Sequence, residues 1–248
     1  MDLLKQAKCL TLAAALALAA APAWAEDSSD PNDGSSSRGD ETSFGSVRGL
    51  ALGGDAGYYT YGMNDVNNRF NHGGTNDIAG GMGYGVAAKL GVTDRLAAKI
   101  GIDYLFASRN STRTIGSTTY NTNVNMPATL LFLGGEYAVL PMRFLNLKIG
   151  AGYTLVNIYN GSENTTNGNN LDLGAITGSG SGFQAGVGAE LFLGRTFSLE
   201  ADLAYDYAKI YNATFAGSTA DPGSTNRDGT VDYSGLVAKV GLNLYLFR

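Results

Sequence analysis

The sequence predicts an all-β fold, an eight-stranded antiparallel up-and-down transmembrane β-barrel. Three observations predict it. The chain opens on an export-type segment, hydrophobic alternation with a period of two recurs in eight runs, and the links between those runs are alternately short and long.

Residues 1–25 read as a cleaved signal peptide. Lys5 and Lys8 supply a positive start, Leu10 to Ala21 a short apolar stretch, and Ala23-Trp24-Ala25 a small-x-small cleavage site. The apolar stretch is too short for a membrane span. Cys9 precedes the apolar stretch, which argues against a lipoprotein, and no cysteine follows it, so disulfide and thiolate chemistry are excluded from the mature chain. Cleavage takes the formal charge from −5 to about −6. A mildly acidic chain of this kind gives no reason to expect nucleic acid as a partner.

Residues 26–43, EDSSDPNDGSSSRGDETS, have no apolar residue besides one proline. They cannot bury enough surface to offset the entropy of ordering and are expected to be a disordered acidic leader. The barrel is then expected over 44–248. Nothing after residue 25 is apolar for long enough to make a transmembrane helix, so a membrane location requires a closed sheet.

The alternation is clearest from Leu145 to Leu155, where odd positions are apolar and even ones polar or glycine, and from Phe197 to Tyr207, with Glu200, Asp202 and Asp206 on the second face. Leu96 to Phe106 repeats it in the opposite parity, placing Lys99, Gly101 and Asp103 together. The eight runs span about 45–61, 80–92, 96–107, 122–137, 144–159, 180–193, 197–211 and 231–247. Short links are expected at Thr93-Asp94-Arg95, at Ala138 to Arg143 and at Gly194-Arg195-Thr196. Long polar ones are expected at 62–79, 108–121, 160–179 and 212–230, which gives tight turns at one rim and loops at the other.

Alternation alone leaves open which face is inside; a soluble lipocalin-like barrel would have the apolar face inward. Glycines crowd the polar face (Gly83, Gly85, Gly150, Gly152, Gly186, Gly188), as a narrow lumen requires. Aromatic residues gather near strand ends, Tyr58, Tyr59, Tyr61, Tyr104, Phe106, Tyr159 and Tyr211 towards the loops, and Tyr137, Phe144 and Phe197 towards the turns. Such girdles and apolar runs of about 10 residues suit strands that face lipid.

With these features the chain resembles the small outer-membrane β-barrel families typified by OmpA, OmpX and Ail. The resemblance covers about 44–248 and is carried by NMPATLLFLGGEY (Asn125 to Tyr137), LKIGAGY (Leu147 to Tyr153) and FQAGVGAELFLGRTFSLEADLAYDY (Phe183 to Tyr207). It implies a bacterial outer-membrane location with a periplasmic N-terminus and extracellular loops. The implied partners are outer-membrane lipid and lipopolysaccharide, the barrel-assembly machinery, and cell-surface partners of the loops. One departure concerns the end of the last strand. Leu242, Leu244 and Leu246 share the outward parity, which gives Phe247 inward parity and leaves Arg248 where such barrels carry an aromatic residue.

Antiparallel partners have residue numbers that sum to a constant, so the short turns predict cross-strand pairs. Sums near 188, 284 and 390 place Lys89 opposite Lys99, Glu136 opposite Lys148 and Glu190 opposite Glu200. These six residues are expected to form one charged layer near the turn rim, the Lys89/Lys99 pair facing the Glu190/Glu200 pair, and to close the lumen as an internal salt-bridge network. Asp55, Asp103, Asp202, Asp206 and Lys239 continue the polar face higher up.

No enzyme is expected. The single histidine, His72, sits among Asn71, Gly73 and Gly74 in a long link, away from any serine–carboxylate arrangement. Glu190 and Glu200 have no evident cleft for a glycan. Arg38-Gly39-Asp40 reads as coincidence, and Asn226-Arg227-Asp228-Gly229 with Asp232 lacks the acidic first position and closing glutamate of a calcium loop. No metal or cofactor is expected. The leading functional expectation is a structural or surface-interaction barrel with a charge-sealed lumen, and the alternative is a conduit for small solutes or apolar molecules.

Overall fold

The computed structural model describes residues 49–248 apart from 65, 68–77, 143, 168–169, 216–226 and 248. The signal segment, the acidic leader with Arg38-Gly39-Asp40, His72 and Asn226 lie outside the described residues. The strands are β1 (Gly49–Thr60), β2 (Gly80–Gly91), β3 (Leu96–Leu105), β4 (Ser108–Ile115), β5 (Thr118–Asn125), β6 (Ala128–Pro141), β7 (Leu145–Asn167), β8 (Asn170–Phe192), β9 (Phe197–Phe215), β10 (Arg227–Asp232) and β11 (Gly235–Phe247).

Eight of these close the barrel in the order β1-β2-β3-β6-β7-β8-β9-β11, with β11 returning to β1. All pairings are antiparallel, so each sheet edge within the barrel is satisfied by its neighbour. Outward positions carry the apolar residues, among them Leu52, Val86, Leu133, Ile149, Val187, Leu203 and Val240, all exposed. The inward positions carry the charges and most of the glycines. The lipocalin-like inside-out arrangement is excluded.

Three tight turns share one rim. Thr93 Oγ1 accepts the Arg95 and Leu96 amides at 3.2 and 3.0 Å, a side-chain turn that fixes the β2–β3 link. Gly194, with φ of 141°, turns the chain between β8 and β9 where a side chain would be strained. The link between β6 and β7 differs from expectation. β6 runs on to Pro141 and the Met142 amide donates to the Leu145 carbonyl at 2.9 Å, so the turn is shorter than Ala138 to Arg143. An irregularity between Ala138 and Leu140 absorbs the extra residue.

At the opposite rim two of the expected loops are sheet. Residues 108–121 form most of the β4–β5 hairpin, turned at Gly116 with φ of 63°. Residues 160–167 and 170–179 are the upper parts of β7 and β8, paired as far as Asn167↔Asn170. Asn, Ser, Thr and Gly in these segments suggest turns, but Thr, Tyr, Leu and Ile are interspersed among them, and pairing with a neighbouring strand decides the outcome. β5 joins the extension of β7 and β10 that of β9, so the wall continues beyond the barrel on one side.

Two orientations are corrected. Tyr59 and Tyr61 do not belong to an outer girdle. They share the inward parity of Asp55 and are buried, whereas Tyr58, Phe106, Tyr159 and Tyr211 are exposed. Phe247 does not point inward. A register shift pairs Ala51 with Tyr245 but Leu50 with Phe247, which restores Phe247 to the outer face at 46% exposure.

Candidate functional site

The site is the lumen. Its residues come from inward positions of all eight barrel strands. From the turn rim upward it begins with a small apolar cluster, Ala51, Phe192 and Tyr245, the two rings 5.9 Å apart. Glu190 lies above it and is 2% exposed. Its Oε1 accepts from Ser198 Oγ at 2.5 Å, Asn243 Nδ2 at 3.1 Å and Tyr245 Oη at 2.7 Å. These neutral donors do for one carboxylate what an ammonium would do, without adding charge.

Directly above is the charged layer. Lys89 and Lys99 are cross-strand partners, as are Glu190 and Glu200. Glu136 lies opposite Gly150, because the irregularity before Leu140 moves the register; Lys148 faces Ala138. The side chains nevertheless meet. Lys89 Nζ is 2.5 Å from Glu200 and 3.1 Å from Glu136. Lys99 Nζ is 2.7 Å from Glu136 and 3.4 Å from Glu200. Lys148 reaches Glu136 at 3.1 Å and also pairs with Glu200.

Asp202, expected higher up, belongs to this layer: it is 3.1 Å from Lys148 and 3.6 Å from Lys99. Glu190 contributes less, with its nearer oxygen 4.0 Å from Lys89. The layer therefore balances three ammonium groups against Glu136, Glu200 and Asp202. The carboxylate oxygens of these three converge within 4.8 Å, a spacing that metal ions also accept. Each carboxylate already has an ammonium within 3.1 Å.

Higher still, Lys239 pairs with Asp103 at 2.5 Å and with Asp55 at 3.7 Å. Asp206 is buried and accepts from Thr154 Oγ1 at 3.4 Å. Between this level and the charged layer is a cavity of about 50 Å³ lined by Asp55, Lys99, Asp103, Gln184, Asp202 and Lys239. A water needs roughly 10–15 Å³ of such space, so the cavity has room for a few waters.

The loop-rim end of the lumen holds a large apolar cluster, with Asn67, Arg109 and Glu163 buried at the same end. Tyr59, Tyr61, Met63, Leu105, Met126, Leu130, Ile158, Ile176, Ile210, Phe215 and Tyr233 belong to one buried cluster. Tyr61 and Tyr233 meet edge to face at 5.4 Å, and Tyr233 Oη donates to the Met126 carbonyl at 2.8 Å. Part of the plug comes from the segment after β1, where the Asn67 amide closes a helical turn on Met63 at 2.7 Å. Asn67 exchanges two hydrogen bonds with Ile78, and Arg109 donates to the Asn67 carbonyl at 3.2 Å.

Sequence reasoning missed this plug because its members come from nine strands, from the links that hold Ala107, Met126 and Tyr233, and from the segment around Met63, Val66 and Ile78. Inward parity followed upward on β1, β6, β7 and β9 would have found it: the inner face changes from Asp, Glu and Lys to Tyr, Leu, Val and Ile. Asp232, considered above with a calcium loop, is paired with Lys209 at 2.9 Å.

No protein-family model and no curated protein sequence matches the chain. Solved structures do. OprG from Pseudomonas aeruginosa, an outer membrane protein, is similar over 82% of this chain and 99% of its own, with a TM-score of 0.53 at 10% identity. A major outer membrane protein from Thermus thermophilus covers 79% of this chain and 98% of its own, with a TM-score of 0.45 at 16% identity. The attachment invasion locus protein Ail of Yersinia pestis covers 80% and 99%, with a TM-score of 0.39 at 9% identity. The lipid-type exterior, the closed antiparallel sheet and the likeness to OprG together give this chain the fold of the small outer-membrane β-barrels.

Proposed function

We propose that the protein is a closed barrel of the bacterial outer membrane with a structural or surface-interaction role. The observation that carries this reading is the stacking of two obstructions in one lumen: the lysine–carboxylate layer near the turn rim and the apolar plug at the loop rim. An ion crossing it would have to displace paired buried charges and then pass a tightly buried apolar cluster, each costly without rearrangement.

With an even number of barrel strands, β1 starts and β11 ends at the turn rim. With short turns periplasmic and long connections outside, the acidic leader lies in the periplasm and the β4–β5 and β7–β8 hairpins project from the cell. The apolar band meets lipid, the assembly machinery would insert the barrel, and the projecting hairpins are the surface offered to other molecules. The role is non-enzymatic in this reading. The conduit reading requires both obstructions to move.

Swelling of vesicles containing the refolded protein tests the choice. Vesicles in isotonic arabinose or glycine should shrink and swell no faster than protein-free ones. Swelling that scales with protein content would replace the closed barrel by the conduit.

A further inference from the structure

The β4–β5 hairpin reaches into the plug through one side chain. β4 ends the order of the described strands with β5 as its neighbour, and β5 pairs with the extension of β7 from Tyr120↔Asn167 to Asn125↔Ser162. At the base of the hairpin the Met126 amide donates to the Ala107 carbonyl at 2.7 Å. Directly paired residues share a face, so Arg109, Val124 and Glu163 form one row, and all three are buried. Arg109 is 4% exposed. Its Nη1 donates to the Asn67 carbonyl at 3.2 Å and to Asn67 Oδ1 at 3.4 Å.

Asn67 is the residue that clips the link after β1. Its amide closes the helical turn on the Met63 carbonyl at 2.7 Å. Its side chain accepts from the Ile78 amide at 2.8 Å and donates to the Ile78 carbonyl at 3.2 Å, which holds the outgoing and returning ends of the link together. Met63, Val66 and Ile78 flank these bonds, and each is buried in the apolar plug. Three plug side chains are thus positioned around one asparagine, and both oxygens of that asparagine accept from an arginine of another element.

A guanidinium carries its donors in a fixed plane, and donors withdrawn from their acceptors while still buried stay away from water. The contact is therefore made or broken as a unit, and it moves with β4. The barrel strands are held by a neighbour on each side, whereas the hairpin joins the wall along β5, and elements held on one side open at lower cost. We infer that Arg109 is the latch of the plug. The β4–β5 hairpin holds the described ends of the link after β1 in the lumen mouth, and displacing the hairpin releases Met63, Val66 and Ile78. The inference rests on the closed-lumen reading above and adds the element through which its apolar obstruction opens.

The test is amide hydrogen exchange of the refolded full barrel in micelles, with heat-modifiable migration showing that each variant is folded. Arg109→Met should speed exchange at Asn67 and Ile78 about tenfold or more. The amides of Met126 and Tyr233, bonded to the Ala107 and Ala208 carbonyls, should keep their wild-type rates. Arg109→Lys keeps one donor group without the planar fork and should fall between the two. Asn110→Asp with Asn123→Asp leaves Arg109 in place and sets like charges opposite each other on the exposed face of the hairpin. It should also speed exchange at Asn67 and Ile78.

Unchanged exchange at Asn67 and Ile78 in Arg109→Met overturns the latch, and so does equal acceleration at Met126 and Tyr233, which would make Arg109 a general packing residue. Acceleration by Arg109→Met but not by the paired aspartates overturns the role of the hairpin. In a planar bilayer, Arg109→Met combined with Glu200→Gln should give conductance steps, and a silent double variant contradicts release of the plug. A leaking wild type would contradict the closed lumen instead and leave the exchange comparison standing.

Discussion

Lys89 and Glu200 meet at 2.5 Å across the lumen, although their strands, β2 and β9, are not neighbours in the sheet. The pair is a tie across the barrel, formed only when all the strands between the two have closed. Removing one partner leaves buried ammonium groups uncompensated, which costs about 3–5 kcal/mol. Glu200→Gln should therefore destabilise the barrel by that order, measured by urea unfolding in lipid vesicles. Adding Lys89→Met should cost much less than the sum of the two single changes.

Glu190 should behave differently from Glu200. Its Oε1 is held by Ser198, Asn243 and Tyr245, and its nearest ammonium is 4.0 Å away. Glu190→Gln keeps an acceptor for those donors, so it should cost less than Glu200→Gln under the same conditions. Equal losses would mean that the charge of Glu190 matters as much as its hydrogen bonds.

Gly188 leaves the space that Lys148 uses. A Cβ there would lie 2.7 Å from Lys148 Cε and would also collide with the Asp202 carboxylate. Gly188→Ala should push Lys148 out of the charged layer and cost about 1–3 kcal/mol. In the Lys148→Met background, where the shorter thioether leaves the carboxylates, the added penalty should shrink.

Tyr233 ties the apolar plug to the backbone. Tyr233→Phe leaves the buried Met126 carbonyl without its donor and should cost about 1–3 kcal/mol in urea unfolding. Tyr211→Phe is the matched control. Its hydroxyl meets Tyr207 at 2.9 Å on an exposed surface, and a surface change of this kind is expected to stay within about 0.5 kcal/mol.

The barrel was legible in the sequence because a strand facing lipid on one side and a narrow lumen on the other must alternate. The registers at the turns before Leu96 and Phe197 were legible because no irregularity lies between those turns and the charged residues, which places Lys89 opposite Lys99 and Glu190 opposite Glu200. The turn at Met142 was not, since the irregularity after Ala138 adds a residue that pattern cannot locate. The same kind of event, between Ile158 and Gly161 and at the end of β11, decides where Glu163 and Phe247 point. Asp202 joins the charged layer because a long lysine side chain reaches past its own level, which a strand-by-strand reading does not capture. The polar hairpins hid their strand character because their buried positions carry Arg109, Thr122 and Glu163 where a half-buried strand ordinarily carries apolar residues.

The most direct test of the closed lumen is single-channel recording in a planar bilayer. Wild type would be recorded beside Glu200→Gln combined with Tyr233→Ala, each shown to be folded by heat-modifiable migration. The account predicts a silent wild type, and conductance steps only when the charged layer and the plug are both weakened. Steady, uniform steps from the wild-type barrel would contradict it.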